Sequence, residues 1–148
     1  MRLKDCHSFK DFRELARRRL PSPIFNYIDG AADDESTYGR NTQSFEECDL
    51  VPNVLRGVEE VDMSVEILGQ KLDLPIYCSP TALQRVFHHQ GENAVAAAAD
   101  KFGTLFGVSS LGTVSLADVR KKYHGPQCYQ FYFHKDKSLN QVMLENAK

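Results

Sequence analysis

Residues 74–84, with the sequence LPIYCSPTALQ, decide how the fold of this chain is interpreted. The apolar run at 74–78 predicts a short strand buried on both faces, because such strands are continuously apolar and do not alternate. The next four residues, 79–82, predict a stiff polar turn. Since α/β sheets bind ligands just beyond the carboxyl ends of their strands, we expect this turn to lie at a functional edge.

The same pattern recurs twice toward the C-terminus. We predict strands at 104–110 and 127–133, helices at 91–101 and 115–122 that precede them, and a last helix opened by Ser138. This βαβ spacing implies parallel strands with right-handed crossovers. Each strand ends in polar residues, so the predicted class is α/β with one functional edge, although three strands are too few to close a barrel.

The first 73 residues predict a lead-in of helices and a hairpin. A capping box of Ser8 and Asp11 begins the first helix, and Ser22 with Pro23 begins the second, which Gly30 closes. The remaining elements are a helix at 31–41, an extended stretch at 49–55, and a hairpin of 63–67 with 71–74 around a type II′ turn at Gly69-Gln70.

The composition is that of an ordinary globular domain. The chain has 148 residues, of which 42% are hydrophobic and 26% charged, which excludes a disordered or membrane-spanning class. Its 18 basic and 20 acidic residues give a net charge of −2, so no nucleic-acid partner is indicated. Residues 17–19 are three arginines that suit the negative end of a helix dipole, with a nucleic-acid or lipid role as the weaker alternative.

Cysteines and histidines bear on metal binding and on location. The cysteines, which form no C-x-x-C pair, are Cys6, Cys48, Cys78 and Cys128. We interpret them as reduced thiols of an intracellular protein. His88 and His89 lack a third ligand at usable spacing, so no metal site is expected.

The N-terminus lacks a signal peptide's apolar core, and no apolar run reaches the roughly 18 residues of a spanning helix. We therefore expect a cytoplasmic protein, with peripheral association at the inner membrane left open.

Five motifs carry a resemblance to a known family. They are FNYIDGAADDE at 25–35, SPTA at 79–82, His88-x-x-Gly91-Glu92, Ser109-Ser110, and YQFY at 129–132. In this order and at these intervals they resemble the FMN-dependent 2-hydroxy acid dehydrogenase and oxidase family, most closely its bacterial L-lactate dehydrogenases. The resemblance extends over essentially the whole chain.

That resemblance implies a (β/α)8 TIM barrel, which needs roughly 250 residues. This chain then corresponds to a single domain that is the N-terminal portion of such a barrel, with the lead-in at 1–73 and the first three βα units at 74–148. In the family, later elements supply the catalytic histidine base, a lysine near the flavin and the arginine that binds the substrate carboxylate. We therefore expect this chain alone to be inactive.

Two tyrosines are implied to contact the substrate. Tyr27 matches the tyrosine whose hydroxyl binds the substrate carboxylate. Tyr132 matches the active-site tyrosine beside the substrate hydroxyl, which gives it a catalytic as well as a binding role. The helical spacing of Tyr27 with Phe25 and Ile28 also fits a plain core aromatic.

The resemblance also implies FMN-binding residues in the turn at 79–82. Pro80, Thr81 and Ala82 match the segment that lies against the isoalloxazine ring, where a backbone N–H faces flavin N5 and so tunes the cofactor. An ordinary loop between a strand and a helix is the alternative for this turn.

Two further cofactor-binding residues stand at strand ends. Ser109 matches a hydroxyl that bonds the flavin, and Gln130 matches the amide at its pyrimidine edge, where an amide can both donate and accept. Leu111 stands where some oxidases of the family carry a large aromatic residue, so the resemblance does not carry a substrate preference over directly.

The functional hypotheses differ in class. The first is the N-terminal portion of an enzyme that uses FMN to oxidise a 2-hydroxy acid, with L-lactate favoured, to the 2-oxo acid. The second is a non-catalytic flavin-binding or interaction module derived from that fold. A third, another kind of FMN barrel, is disfavoured by Tyr27 and by YQFY at 129–132. Unclosed parallel edges further predict a homo-oligomer or association with a missing C-terminal half.

Overall fold

The computed structural model describes residues 2–148, which form two compact units. The first unit extends to Glu59 and the second extends from Glu60 to Lys148. No helix within residues 2–148 combines the length and the apolar character needed to cross a bilayer.

The first unit is helical. Its elements are a 3₁₀ helix at Leu3–Asp5, α1 at Phe9–Arg19, α2 at Ser22–Asp29 and α3 at Ser36–Glu46. The predicted cap of α1 is confirmed, because the Ser8 hydroxyl accepts the N–H of Asp11 at 3.3 Å. Arg13 binds Asp29 through two bonds of 2.6 and 2.9 Å, which tie α1 to the end of α2.

The predicted helix at 31–41 is wrong in its position. Asp33 and Glu35 have φ values of 51° and 57°, so residues 31–35 form a loop and α3 begins only at Ser36. The carboxylate of Glu35 accepts the N–H of Ala31 at 3.0 Å, which is a local bond that competes with helix formation. The N-cap of α2 is Pro21, one residue before the predicted Ser22.

The chain between α3 and the hairpin contains no regular strand. The extended stretch predicted at 49–55 pairs with nothing in residues 2–148 and turns at 54–55. The hairpin itself is confirmed, with β1 at Val65–Ile67 antiparallel to β2 at Gln70–Leu72. Its turn is centred on Leu68 and Gly69, which both have positive φ. That is the pattern of a type I′ turn, so the predicted type II′ turn is wrong.

The second unit continues as strands and helices in alternation. Its elements are α4 at Gln84–Phe87, α5 at Glu92–Lys101, β3 at Phe106–Ser109, α6 at Leu116–Lys122, β4 at Gln127–Gln130 and α7 at Lys137–Glu145. Strands β3 and β4 are parallel, as predicted. The core lies between β3 and the helices α5 and α6, and its buried members are Ala96, Ala99, Phe106, Val108, Val114 and Val119. The α/β class is therefore confirmed.

Local signals set the ends of two helices in this unit. The Ser115 hydroxyl accepts the N–H of Asp118 at 3.1 Å and caps α6 as predicted. The last helix is capped by Asp136, which accepts the N–H of Ser138 at 2.9 Å, so Ser138 is not its cap. Strand β4 ends at Gln130, three residues before the predicted end.

The strand predicted at 74–78 is reduced to one bridge. Cys78 lies parallel to Phe106, with bonds from the Cys78 N–H to the Leu105 carbonyl at 2.9 Å and from the Gly107 N–H to the Cys78 carbonyl at 2.8 Å. Ile76 is 70% exposed, so the run is not buried on both faces. Pro75 has no N–H to donate, and no second strand within residues 2–148 covers the outer side.

Candidate functional site

Three segments meet at the carboxyl ends of β3 and β4. Ser109 and Gln130 are register partners at the last position of the two strands. The turn after Cys78 joins them, because the N–H of Leu83 bonds the carbonyl of Leu111 at 3.1 Å. The fold thus brings Pro80, Thr81 and Ala82 to the same edge as the ends of both strands.

A glycine in the middle of β3 permits this approach. A Cβ at Gly107 would lie 2.7 Å from Cδ of Pro80 and 2.9 Å from its nitrogen, which is closer than real Cβ contacts. Any other residue at this position would push the 78–82 segment away from β3. Our sequence reasoning missed Gly107, although a glycine inside a strand is itself a signal of close backbone approach.

The turn at 79–82 offers unused backbone donors. Thr81 accepts a bond from Nε2 of Gln84 at 3.2 Å through its carbonyl, and Leu83 adopts a left-handed conformation with φ of 54°. The N–H groups of Thr81 and Ala82 make no hydrogen bond within residues 2–148. Both residues are half-buried, so a ligand at this edge could accept these donors in place of water.

A small polar network joins the two strand ends. The hydroxyl groups of Ser109 and Ser110 donate to Oε1 of Gln130 at 3.4 and 3.3 Å. The bonds that the described residues make to this side chain use Oε1 alone, which leaves the two N–H donors of Nε2 available to a ligand. Ser109 is buried and Gln130 is half-buried.

Aromatic side chains at alternate positions contact one another from the end of β4 into the segment that follows it. The rings of Tyr129 and Phe131 are 6.3 Å apart, and those of Phe131 and Phe133 are 5.5 Å apart. Since successive side chains in extended backbone point to opposite faces, we expect Gln130 and Tyr132 to share the other face. The side chain of Tyr132 is 56% exposed.

The segment that follows Tyr132 is held by a buried asparagine. Asn140 is 5% exposed, and its side-chain amide accepts the N–H of His134 and donates to the carbonyl of His134, both at 2.8 Å. The sequence reasoning did not single out this residue, because its partner is a backbone group that no motif marks.

Tyr27 belongs to the other compact unit. It lies on α2, near the buried Phe25, and its side chain is 62% exposed. The alternative interpretation of Tyr27 as a core aromatic residue is therefore wrong. The substrate-binding roles of Tyr27 and Tyr132 stay predictions.

The carboxylate of Glu92 is a third group whose role the sequence reasoning did not predict. It is fully buried and accepts the backbone N–H of Thr113 at 2.7 Å and the Thr113 hydroxyl at 2.6 Å. Burial alone raises the pKa of Glu92, but these bonds and nearby backbone N–H groups outweigh it, so the pKa lies below its ordinary value. Only the motif His88-x-x-Gly91-Glu92 pointed to this residue.

No group of three potential metal ligands occurs within residues 2–148. The side chain of His88 makes a hydrogen bond within its own loop, in which its Nδ1 accepts the N–H of Gln90 at 3.3 Å.

A cavity of about 750 Å³ lies at the opposite, amino-terminal end of β4. Its lining includes Lys121 and the guanidinium of Arg120, which already donates to the carbonyls of His124 and Gly125 at 2.9 and 3.1 Å. None of the predicted site residues lines this cavity. This cavity is therefore separate from the edge where Ser109 and Gln130 lie.

Comparison with known proteins identifies the family. Residues 16–148 match the family described as FMN-dependent dehydrogenase, and the chain belongs to this family. The resemblance that the five motifs carry is thereby confirmed.

Individual relatives match nearly all of the chain. It is 37% identical over 140 residues to an L-lactate dehydrogenase of Xanthobacter autotrophicus, with 95% of this chain and 36% of the relative covered. It is 33% identical over 138 residues to glycolate oxidase 1 of Oryza sativa subsp. indica, with 93% and 37% covered. The chain thus spans little more than a third of the length of these relatives.

Solved structures agree in fold. A crystal structure of mandelate oxidase matches with a TM-score of 0.86 and 31% identity, over 95% of this chain and 42% of that one. A lactate oxidase of Pediococcus acidilactici matches with a TM-score of 0.87 and 30% identity, over 97% and 40%.

Proposed function

We propose that this chain is the N-terminal, flavin-facing portion of an enzyme that uses FMN to oxidise a 2-hydroxy acid to the 2-oxo acid, with L-lactate as the substrate. In this proposal its second unit is the beginning of a (β/α)8 barrel. The observation that carries the proposal is the convergence of the 79–82 turn, Ser109 and Gln130 on one edge of β3 and β4.

The donor set at this edge fits a flavin. The unpaired N–H groups of Thr81 and Ala82 suit a ring nitrogen, and the amide of Gln130 suits an edge that alternates donors and acceptors. The close contact of Pro80 with Gly107 holds this turn against β3. FMN, when bound, would supply the acceptor for the two electrons that leave the substrate.

The residues of this chain have separate roles in the proposal. Gln130 and Ser109 orient the cofactor, and the 79–82 turn lies against its ring. Tyr132, on the same face as Gln130, binds the substrate hydroxyl, and Tyr27 binds the substrate carboxylate. The general base belongs to family elements for which this chain has no counterpart, and such a base commonly contributes a factor of roughly 10²–10⁴ in rate. We therefore propose that the chain alone binds FMN and does not turn over.

A second candidate function is favoured by exposed apolar residues beside the same sheet. Ile76, Tyr77 and Phe133 are 70%, 52% and 84% exposed. A module that presents these residues to another chain, as a homo-oligomer or beside a complementary C-terminal half, would bury them.

Titration of FMN with the purified chain tests the proposal. We expect quenching of flavin fluorescence that saturates, and no bleaching of the bound flavin when L-lactate is added without oxygen. Gln130→Leu should weaken binding about tenfold, the worth of one or two hydrogen bonds. The matched control is Gln127→Leu, at the other end of β4, which should bind as the parent does.

Each other outcome has a clear meaning. Absence of FMN binding by the parent chain would reject the cofactor site, and equal weakening by both substitutions would reject the role of Gln130. Bleaching by L-lactate would show that this chain carries its own base.

A further inference from the structure

A buried carboxylate outside the predicted site holds one of the site's turns. Glu92 stands at the first position of α5, and none of its surface is exposed. Buried carboxylates are rare because desolvation is costly, so the partners of Glu92 indicate what it does.

Those partners lie 21 residues away in the sequence. Oε1 of Glu92 accepts the backbone N–H of Thr113 at 2.7 Å, and Oε2 accepts its hydroxyl at 2.6 Å. The same hydroxyl accepts the N–H of Arg85 at 3.1 Å, at the start of α4. One carboxylate thereby connects the beginnings of α5 and α4 to the turn that follows β3.

The surroundings of this carboxylate are too tight for larger residues. A Cβ at Gly112 would lie 3.3 Å from Oε1 of Glu92 and 3.0 Å from the carbonyl of Ser109. A Cβ at Gly91 would lie 2.7 Å from Cγ of Arg85 and 3.3 Å from the Thr113 hydroxyl. If Glu92 only complemented the dipole of α5, it would not need to pack closely against Gly112 or to bond Thr113.

The turn that Glu92 holds contains Ser109. The Ser109 hydroxyl accepts the N–H of Leu111 at 3.1 Å, and the Ser109 carbonyl accepts the N–H of Gly112 at 2.9 Å. The turn is therefore fixed at one end by β3 and at the other by the bonds from Thr113 to Glu92. Displacement of Thr113 would release the contact that orients the Ser109 hydroxyl.

We propose that Glu92 is a positioning residue, which fixes the 109–113 turn and thereby sets the orientation of Ser109 at the ligand-binding edge. The identity of the ligand as FMN rests on the proposed function. The effect on the turn itself does not, because it is a property of the chain without ligand.

Hydrogen exchange of the ligand-free chain is the first test. In Glu92→Ala the amides of Leu111, Gly112 and Thr113 should exchange about tenfold faster, as expected for the loss of hydrogen bonds to a charged group. Amides inside β3 and α6 should change much less. Glu92→Gln, which keeps one acceptor oxygen, should show an intermediate rate, and a uniform rise across β3, α5 and α6 would overturn the proposal.

A matched carboxylate serves as the control. Asp118 also stands in the first turn of a helix and accepts a serine hydroxyl, that of Ser115 at 2.7 Å, but it is exposed and does not contact the 109–113 turn. Asp118→Asn should leave exchange in that turn unchanged. If Glu92→Ala fails to fold, Thr113→Val removes the hydroxyl partner alone and should accelerate exchange of the same three amides.

Titration with FMN is the second test. Glu92→Ala should weaken binding about tenfold, on the order of one lost hydrogen bond to the ligand, with Glu92→Gln between it and the parent. Asp118→Asn should bind as the parent does. Faster exchange in the turn with unchanged FMN affinity would overturn the positioning role. If the parent chain itself does not bind FMN, the proposed function fails, while the exchange experiment still decides the role of Glu92.

Discussion

Strand β3 and residues 74–78 are both mainly apolar segments of the second unit, but they lie in different environments. Phe106 in β3 is 1% exposed, whereas Ile76 is 70% exposed. Strand β3 has β4 on one side, Cys78 on the other, and α5 and α6 against its face. Among residues 2–148, the 74–78 segment has a strand neighbour on one side only. An apolar run therefore shows what a strand can bury, and its neighbours determine what it does bury.

The largest expected effect comes from truncating an apolar side chain in each segment. Phe106→Ala should lower the free energy of unfolding by about 3–5 kcal/mol, because it removes a fully buried ring and leaves a cavity. Ile76→Ala should change it by less than about 0.5 kcal/mol, as surface substitutions usually do. Urea denaturation of the two variants measures the difference, and equal losses would mean that Ile76 is buried in solution.

A smaller effect should follow from adding one methyl group to β3. Gly107→Ala places a Cβ against Pro80 and should cost about 1–3 kcal/mol through overpacking. The control is Gly39→Ala in α3, where nothing lies within 4 Å of the added Cβ. Because alanine favours the helix by about 1 kcal/mol over glycine, this variant should be neutral or more stable. Thermal denaturation compares them, and a loss in both variants would contradict the close approach at Gly107.

The contribution of Glu92 should depend on pH. Its pKa is lowered on folding, so the folded state binds fewer protons and the stabilisation is present above the unfolded-state pKa of about 4.3. It should be lost as the pH falls through the lower pKa of the folded state. Glu92→Gln should therefore cost about 1–3 kcal/mol at pH 7, and the difference from the parent should shrink below about pH 4. A difference that is constant from pH 3 to 7 would exclude an ionised Glu92.

The smallest expected effect on stability concerns the uncovered side of the 74–78 segment. We expect the isolated chain to self-associate through this apolar edge, as uncovered sheet edges do. Ile76→Lys should reduce self-association in sedimentation experiments. At a protein concentration where both chains are monomeric, its unfolding free energy should stay within about 0.5 kcal/mol of that of the parent. A parent chain that is a monodisperse monomer and melts cooperatively would contradict this prediction.

Features encoded by neighbouring residues were predictable from the sequence. The caps at Ser8 and Ser115 depend on a hydroxyl and an N–H three residues apart, so both helix starts were found. The approach of Ser109 to Gln130 followed from one general rule, that parallel strands bring their carboxyl ends to one edge. With that rule, a local pattern was enough to assemble the polar part of the candidate site.

Features that depend on distant partners were not predictable in the same way. The bonds between Glu92 and Thr113 and between Asn140 and His134 join residues whose spacing matches no helix or strand repeat, so the sequence pattern does not indicate them. The left-handed conformations of Asp33 and Glu35 place a loop where the sequence predicted the start of the helix at 31–41. Exposure of Ile76 depends on whether another strand lies beside it, which the apolar pattern does not report.

The two hydrogen bonds from the Asn140 side chain to the backbone of His134 restrict which substitutions position 140 can accept. Its amide gives His134 a donor and an acceptor at once, as a neighbouring strand would, so a replacement must supply both groups at the same reach. The residues that a single nucleotide change can create from an asparagine codon are Asp, His, Ile, Lys, Ser, Thr and Tyr. None of them carries an amide. Single-nucleotide substitutions at this codon would therefore remove at least one of the two bonds to the backbone of His134, so few changes at position 140 should be neutral for the loop after Tyr132.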